Sequence, residues 1–407
     1  MIKVSSINLF LRCITLGSKF LLLIFMTRYL SPEEVGEYGI ISTTIGLAIY
    51  IIGLDFYTFN TREMLSNIKK DTVFYIRDQF VFHLISYLLF LPLISIMFIV
   101  NLLPIKYIII FYFLLIMEHI SQEFNRILIT LSKPIIANFT LFFRSGAWAY
   151  VVIAILLFED LGNLWMVLGA WTIGVFISIV LSLYYLRNLN WKKLSEKPID
   201  WRWNIRGMKI SLPLFFGNIG VKFSEYLDRY FISFFCGSAL LGAYTFYGSL
   251  ANLLVVFAQT GIVSVLSPKL IKSFQEKDFV SYGIVLKKII AGLVISTVLI
   301  GVFLIFGIEI VIDIIGKSVY EENLTAFIIL LIGYSFSVFS LIPHYALYVR
   351  HKDKQIIKSS LLSVAIAIIF NSILVPKYGL IGGAFSTCTS FLSLFLLKLF
   401  FANKYKL

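Results

Sequence analysis

The chain has 407 residues, of which 59% are hydrophobic and 14% charged, and its mean hydropathy is +0.91. Soluble domains are about 45–50% apolar and about 25% charged, so these values exclude a soluble globular protein and indicate a polytopic membrane protein. The formal charge of +13 leaves nucleic acid binding open until the basic residues are placed along the chain.

A membrane-spanning helix needs about 20 mostly apolar residues, and this rule predicts twelve spans. In chain order they are 6–29, 37–58, 80–101, 105–129, 135–158, 163–186, 210–235, 240–267, 284–307, 323–348, 356–375 and 380–402. Charged residues interrupt the first, fourth and seventh spans. The expected fold is all-α, with about twelve transmembrane helices.

Lysine and arginine in the loops test this count, because cytoplasmic loops are enriched in both. With the N-terminus inside, the periplasmic loops hold only Arg28, Lys106, Lys317 and Lys377, and the other loop lysines and arginines are cytoplasmic. Omitting any one span would destroy the alternation. We therefore expect both termini in the cytoplasm, and we attribute the basic excess to topology rather than to a nucleic acid partner.

The longest polar connection is residues 187–209, RNLNWKKLSEKPIDWRWNIRGMK, at the midpoint of the chain. It predicts three regions: an N-terminal six-helix lobe (1–186), a basic cytoplasmic linker (187–209) and a C-terminal six-helix lobe (210–407). The simpler interpretation is a structural linker that is anchored at the membrane interface by Trp191, Trp201 and Trp203. A sensor of lipid headgroups is the alternative.

A linker at the midpoint suggests an internal repeat. A shift of 206 positions places Gly36-Glu37-Tyr38 on Gly242-Ala243-Tyr244. Each Gly-x-Tyr follows a short polar break and opens the second helix of its half. We interpret the motif as packing architecture, because glycine allows helices to approach closely, and a simple turn is the alternative.

Three segments carry a resemblance to a known family: FMTRYLSPEEVGEYGIIS, LDRYFISFFCGSALLGAYTFYGSL and VPKYGLIGGAFST. They resemble Wzx-type bacterial polysaccharide (O-antigen) flippases, whose superfamily also contains multidrug exporters and peptidoglycan-precursor flippases. The resemblance implies two six-helix lobes around a central cavity, as in MATE transporters. It also implies movement of an undecaprenyl-diphosphate-linked oligosaccharide from the cytoplasmic to the periplasmic leaflet of the inner membrane.

The charges within the predicted spans can be weighed independently of that resemblance. Each costs roughly 2.5–3.5 kcal/mol at the centre of a helix in lipid, so these residues are expected to face protein or water. Four of them lie in one short stretch of the seventh span, VKFSEYLDRYF. The basic residues are Arg12, Lys19, Arg126, Arg144, Lys222, Arg229 and Lys398, and the acidic residues are Asp55, Glu118, Glu123, Glu225 and Asp228.

A lipid-linked sugar brings two phosphates out of the headgroup region, and cations in a wet cavity would replace their lost hydration. The candidate diphosphate ligands are Arg12, Lys19, Arg144, Lys222 and Arg229. The alternative is that these cations only neutralise neighbouring acids inside the bundle.

Buried carboxylates can titrate near neutral pH, which makes Glu118, Glu225 and Asp228 candidates for coupling to H+ or Na+. Consumption of the flipped product could also drive transport. Direct drive by ATP hydrolysis has no support, because the sequence contains no Walker motif. His119 and Glu123 are spaced as metal ligands, but the sequence supplies no third ligand nearby, so no metal or cofactor is expected.

Two rival functions remain. A membrane enzyme of glycan assembly is disfavoured, because the longest outer loop is about 15 residues and no Asp-x-Asp pair is present, so we expect no enzymatic activity. A multidrug exporter of the same fold would favour an acidic cavity. The expected partners are the lipid-linked glycan, H+ or Na+, membrane lipids, and polysaccharide polymerase and chain-length proteins.

Overall fold

The structure is a computed structural model that describes residues 2–66, 72–158 and 162–405. Of the residues in these ranges, 91% are helical, and none lies in a β-strand. The all-α membrane fold predicted from hydropathy is confirmed.

Fifteen α-helices follow one another across the described ranges, joined by turns and short 3-10 and π-helical segments. Before the linker these are α1 (Ile2–Tyr29), α2 (Pro32–Gly53), α3 (Phe56–Ser66), α4 (Thr72–Ile99), α5 (Ile108–Thr130), α6 (Pro134–Phe142), α7 (Trp148–Phe158) and α8 (Leu164–Leu186). From the linker onward they are α9 (Trp201–Phe257), α10 (Ser264–Gln275), α11 (Phe279–Ile315), α12 (Ser318–Glu321), α13 (Leu324–Phe339), α14 (Leu341–Tyr348) and α15 (Asp353–Lys404).

Local sequence determines several helix ends. At the start of α2, the Ser31 hydroxyl accepts a hydrogen bond from the Glu34 backbone N–H, and the Glu34 carboxylate accepts one from the Ser31 N–H, both at 3.2 Å. This reciprocal pair is a capping box, and Pro32 occupies the first helical position, where its missing N–H costs nothing. The polar run before the first Gly-x-Tyr is therefore a helix start.

Ten helical stretches in the described ranges are long and apolar enough to cross a membrane. Two of these, 51 and 52 residues long, each contain one glycine with non-helical backbone angles, Gly237 or Gly379. In α15 the Ser363 hydroxyl donates to the Ser390 carbonyl at 2.9 Å, which requires the helix to fold back at Gly379. In α9 the Tyr244 hydroxyl donates likewise to Asp228, across Gly237. Each long stretch is therefore a hairpin of two helices, and the described residues support about 10–12 transmembrane helices, in agreement with the prediction of about twelve.

The chain forms two compact units. Unit 1 comprises Met1–Leu30 and Ile41–Ile219, and unit 2 comprises Ser31–Ile40 and Gly220–Leu407. The first turns of α2 thus belong to unit 2, although the rest of that helix belongs to unit 1. The sequence predicted lobes at 1–186 and 210–407 with a separate linker between them. In the structure, the linker belongs to unit 1 and the start of α2 belongs to unit 2.

The linker docks on unit 1 through hydrogen bonds to the start of α4. The Arg77 guanidinium donates to the carbonyl oxygens of Leu194, Lys197 and Pro198 at 2.5–2.9 Å. The Asp78 carboxylate accepts from the Asp200 N–H at 3.1 Å. The linker is thus held in place on the preceding helices.

Trp203 is not the interfacial anchor that the sequence predicted, because only 5% of it is exposed. Its ring stacks on Tyr75 at 5.4 Å and contacts Phe56 and Phe59 of α3. Gly207 allows this approach, since an added Cβ would lie 2.6 Å from both phenylalanine rings. Trp201 does remain 51% exposed.

The two Gly-x-Tyr motifs meet within unit 2. A Cβ added at Gly36 would overlap the Ser238 carbonyl oxygen and lie 3.0 Å from the Gly242 nitrogen, and one added at Gly242 would overlap the Pro32 carbonyl oxygen. Backbone therefore contacts backbone at both glycines, as in close helix pairs of membrane proteins. The interpretation of these glycines as packing positions is confirmed.

Candidate functional site

Helix α1 carries the first group of predicted site residues. Its apolar span runs from Phe10 to Tyr29, which places Lys19 at its middle, about 14 Å from either end. Arg12 lies two turns earlier on the same stripe, and both side chains are exposed. The Arg12 Nε donates to the Asn138 side-chain oxygen at 3.3 Å. Lys19 forms no hydrogen bond and no ion pair with any residue that the structure describes.

Arg144 and Glu118 form an ion pair next to Lys19. The Arg144 Nε lies 3.1 Å from the Glu118 carboxylate, whose other oxygen accepts from the Trp171 indole N–H at 2.6 Å. Both charges are close enough to act electrostatically on Lys19. The Arg144 and Glu118 charges offset each other, so Lys19 contributes the excess positive charge of this cluster.

A π-helical turn brings Arg144 to α1. Residues Phe143–Ala147 form this wider turn between α6 and α7. A Cβ added at Gly146 would lie 3.0 Å from the Ser18 hydroxyl and 3.2 Å from the Thr15 Cα, so the turn packs directly on α1. Single π-helical turns occur frequently at functional sites, where they redirect a side chain.

In unit 2, the charged stretch of α9 separates into a pair and a buried acid. The Lys222 ammonium lies 2.7 Å from the Glu225 carboxylate, and both side chains are about a quarter exposed. The neighbouring Arg229 guanidinium lies 5.4 Å from the centre of the Tyr226 ring. The Lys222–Glu225 contact corresponds to the neutralisation that the sequence left open.

Asp228 is 4% exposed and is surrounded by oxygen-bearing side chains. One carboxylate oxygen accepts from the Tyr244 hydroxyl and, at 2.6 Å, from the Thr387 hydroxyl. The other accepts from the Arg229 N–H at 2.8 Å. Asp228 forms no ion pair with any described residue, although the Arg229 charge acts on it. The carboxylate and the two hydroxyl groups are oxygen ligands of the type that hard cations prefer.

The eight predicted site residues thus fall into two groups. Unit 1 holds Arg12 and the cluster of Lys19, Glu118 and Arg144, and unit 2 holds Lys222, Glu225, Asp228 and Arg229. Sequence reasoning missed Trp171, Tyr244 and Thr387, which hydrogen-bond the two buried acids. A signal existed only for Tyr244, as the repeated tyrosine of the Gly-x-Tyr motif.

The sequence profile of the family described as "Polysaccharide biosynthesis protein" matches residues 3–274. This chain belongs to that family. The match covers about two thirds of the sequence and includes every predicted site residue. No curated protein matches the chain significantly.

Solved structures place this family member in the MATE fold. An inward-facing multidrug resistance MATE family transporter of the MOP superfamily superposes with a TM-score of 0.79 at 13% identity, covering 96% of this chain and 94% of that one. The lipid II flippase MurJ in an inward closed conformation gives 0.71 at 17%, covering 99% and 88%. A mutant of the Vibrio cholerae MATE transporter VcmN gives 0.58 at 13%, covering 99% and 98%.

Proposed function

We propose that the chain is a flippase of the bacterial inner membrane. Its substrate is an undecaprenyl-diphosphate-linked oligosaccharide, such as an O-antigen repeat unit, which it moves from the cytoplasmic to the periplasmic leaflet by alternating access of two six-helix lobes. Membership in a polysaccharide biosynthesis family and a fold shared with the flippase MurJ support this proposal.

The observation that carries the proposal is the exposed ammonium of Lys19 in the middle of a membrane span, which forms no direct ion pair with any described residue. A lysine at this depth costs roughly 2.5–3.5 kcal/mol in lipid, so its retention needs a compensating role. Binding an anion that crosses the membrane supplies one. The exposed Arg12 two turns away provides a second donor for a group with two phosphates.

The other predicted ligands take different parts in this proposal. Arg144 is occupied by Glu118, and Lys222 by Glu225, so each contributes to binding only when its acid is released or protonated. Arg229 lies beside the buried acid Asp228, and its positive charge acts on that carboxylate. Lys19 and Arg12 therefore provide the primary diphosphate contact.

We assign coupling to H+ or Na+ to Asp228. Glu118 and Glu225 each face a basic side chain within 3.1 Å, whereas Asp228 accepts hydrogen bonds from hydroxyls and a backbone N–H only. A buried carboxylate of this kind can exchange a proton or a hard cation without breaking an ion pair. Glu118 and Glu225 remain secondary candidates.

The decisive experiment is a flipping assay in liposomes with a fluorescent polyprenyl-diphosphate oligosaccharide. Replacing Lys19 by Ala removes a charge-assisted contact worth about 1.5–3 kcal/mol, so the flipping rate should fall about tenfold or more. The double variant Lys19→Ala/Lys222→Ala should fall further. The matched control is Lys272→Ala, because Lys272 is 74% exposed and pairs with Glu276 on the surface.

Normal flipping by folded Lys19→Ala would refute the role of this ammonium. Absence of flipping by the wild type, combined with efflux of a cationic dye, would instead identify a multidrug exporter. In cells, we expect polysaccharide polymerase and chain-length proteins to act on the flipped product. The polysaccharide that they form when coexpressed is therefore a further measure of flipping.

A further inference from the structure

Helices α4 and α5 of unit 1 face each other with polar side chains at four-residue spacing. Gln79, His83 and Tyr87 form one stripe on α4, and His119 and Glu123 form the opposing stripe on α5. His83, His119 and Glu123 are each 1% exposed or less. The third group that the sequence did not supply for His119 and Glu123 is therefore His83, which comes from another helix.

The three groups are arranged at the spacing of metal ligands. The His119 Nε2 and the His83 Nε2 each lie 3.8 Å from a different oxygen of Glu123. One ligand atom from each residue can be chosen so that all lie within 4.8 Å of one another. Zinc binds nitrogen and oxygen at about 2.0–2.2 Å, so ligand atoms around a tetrahedral ion lie about 3.4 Å apart. Closing this cluster around an ion needs side-chain shifts of about 1 Å.

The hydrogen bonds of His119 leave a nitrogen available for an ion. Its Nδ1 lies 2.6 Å from the Tyr87 hydroxyl oxygen, whereas its buried Nε2 has no hydrogen-bond partner among the described residues. When Nδ1–H donates to Tyr87, Nε2 carries the lone pair. Metal-binding histidines use their second nitrogen in this way, and the donor bond fixes the ring. An unpaired buried nitrogen costs about 1–3 kcal/mol, which an ion would recover.

Gln79 and Asn60 form an outer layer around the same groups. The Gln79 amide nitrogen donates to Glu123 and lies 3.2 Å from the His83 Nε2. The Asn60 amide donates to the Gln79 oxygen, which fixes the orientation of the Gln79 amide. The Gln79 side chain therefore contacts both the Glu123 carboxylate and the His83 imidazole. An ion that bound these two groups would replace those contacts.

Arg126 competes for the carboxylate. Its guanidinium pairs with Glu123 and stacks on the Tyr57 ring at 3.6 Å, and its side chain is 20% exposed. A positive charge so close weakens cation binding. The same contact offers a variant that should strengthen binding without altering a ligand.

We propose that His83, His119 and Glu123 bind one divalent transition-metal ion of the zinc class, which ties α4 to α5. Two imidazoles and one carboxylate suit Zn2+ or Co2+, whereas Na+, Mg2+ and Ca2+ prefer shells of oxygen. The proposal does not depend on the flippase function, and it concerns different residues.

The test uses the full-length protein without a polyhistidine tag, stripped with a chelator and then loaded with Zn2+ or Co2+. Metal analysis after gel filtration should find about one ion per chain, and bound Co2+ should give the visible absorption of a low-coordinate site. His119→Gln should weaken Zn2+ binding about tenfold or more. His344→Gln, at a partly buried histidine of unit 2, is the matched control and should bind as the wild type does.

Arg126→Gln keeps all three ligands and should tighten Zn2+ binding several-fold, so the proposal remains testable if His119→Gln fails to fold. Far less than one ion per wild-type chain would overturn the proposal. Equal Zn2+ affinity in the wild type, folded His119→Gln and Arg126→Gln would also overturn it, because the ion would then be bound elsewhere.

Discussion

Replacing Gly242 by Ala should separate two helices of unit 2 that now touch through their backbones. The added methyl would overlap the Pro32 carbonyl oxygen and lie 3.2 Å from the Gly36 nitrogen. Neither obstacle is a flexible side chain, so the methyl cannot be accommodated by a rotamer change. Overpacking of this kind costs about 1–3 kcal/mol, and we expect the unfolding free energy to fall by that amount. Thermal unfolding in detergent and the flipping rate in liposomes provide the two measurements.

The controls distinguish this contact from a general effect of removing glycine. Gly301 of α11 has open space around it, so Gly301→Ala should be neutral or slightly stabilising because alanine favours helix. In Gly36→Ala/Gly242→Ala, the helices separated by the first methyl already have room for the second. The double variant should therefore cost less than the sum of the single variants. Unchanged stability and activity in Gly242→Ala would show that the helices do not approach this closely in the membrane.

Two further predictions concern Asp228 and Arg77. Asp228→Asn keeps the shape of the side chain but removes its charge, so acceleration of flipping by a H+ or Na+ gradient should fall about tenfold, whereas the exposed Asp313→Asn should behave as the wild type. Full gradient dependence in Asp228→Asn would assign coupling to another group. Arg77→Ala removes the donors to three linker carbonyls, and we expect stability to fall by about 2 kcal/mol and limited proteolysis to cleave the linker faster. The exposed Arg62→Ala is its control, and equal cleavage of the two variants would contradict the docking of the linker.

Properties that are local in the sequence could be predicted from it. The apolar runs and the alternation of basic loops gave twelve crossings, although Gly237 and Gly379 join two pairs of spans into hairpins with hardly any loop. Charge density in α9 identified Lys222, Glu225 and Asp228 before any contact was known. The internal repeat identified Gly36 and Gly242, because small residues at matched positions reflect helix packing.

Partners that are distant in sequence could not be predicted. Thr387 lies 159 residues from the Asp228 that it contacts, and neither hydropathy nor spacing connects them. The contact between His83 and His119 could likewise not be predicted, because nothing in the sequence shows that their two helices bring the rings together. The prediction that Trp203 is an interfacial anchor was wrong for a related reason. Tryptophan occurs both at membrane interfaces and in aromatic cores, and only the neighbouring residues distinguish the two.

The docked linker has a consequence for the order of biogenesis. The described contacts that fix it, at Arg77, Asp78 and the aromatic side chains of α3, are made by residues that leave the ribosome before the linker does. The linker can therefore settle on the first half of the protein while the second half is still being synthesised. The start of α9 would then be held on the first half of the protein before α9 enters the membrane. The order of synthesis would thereby determine where insertion of the second half begins.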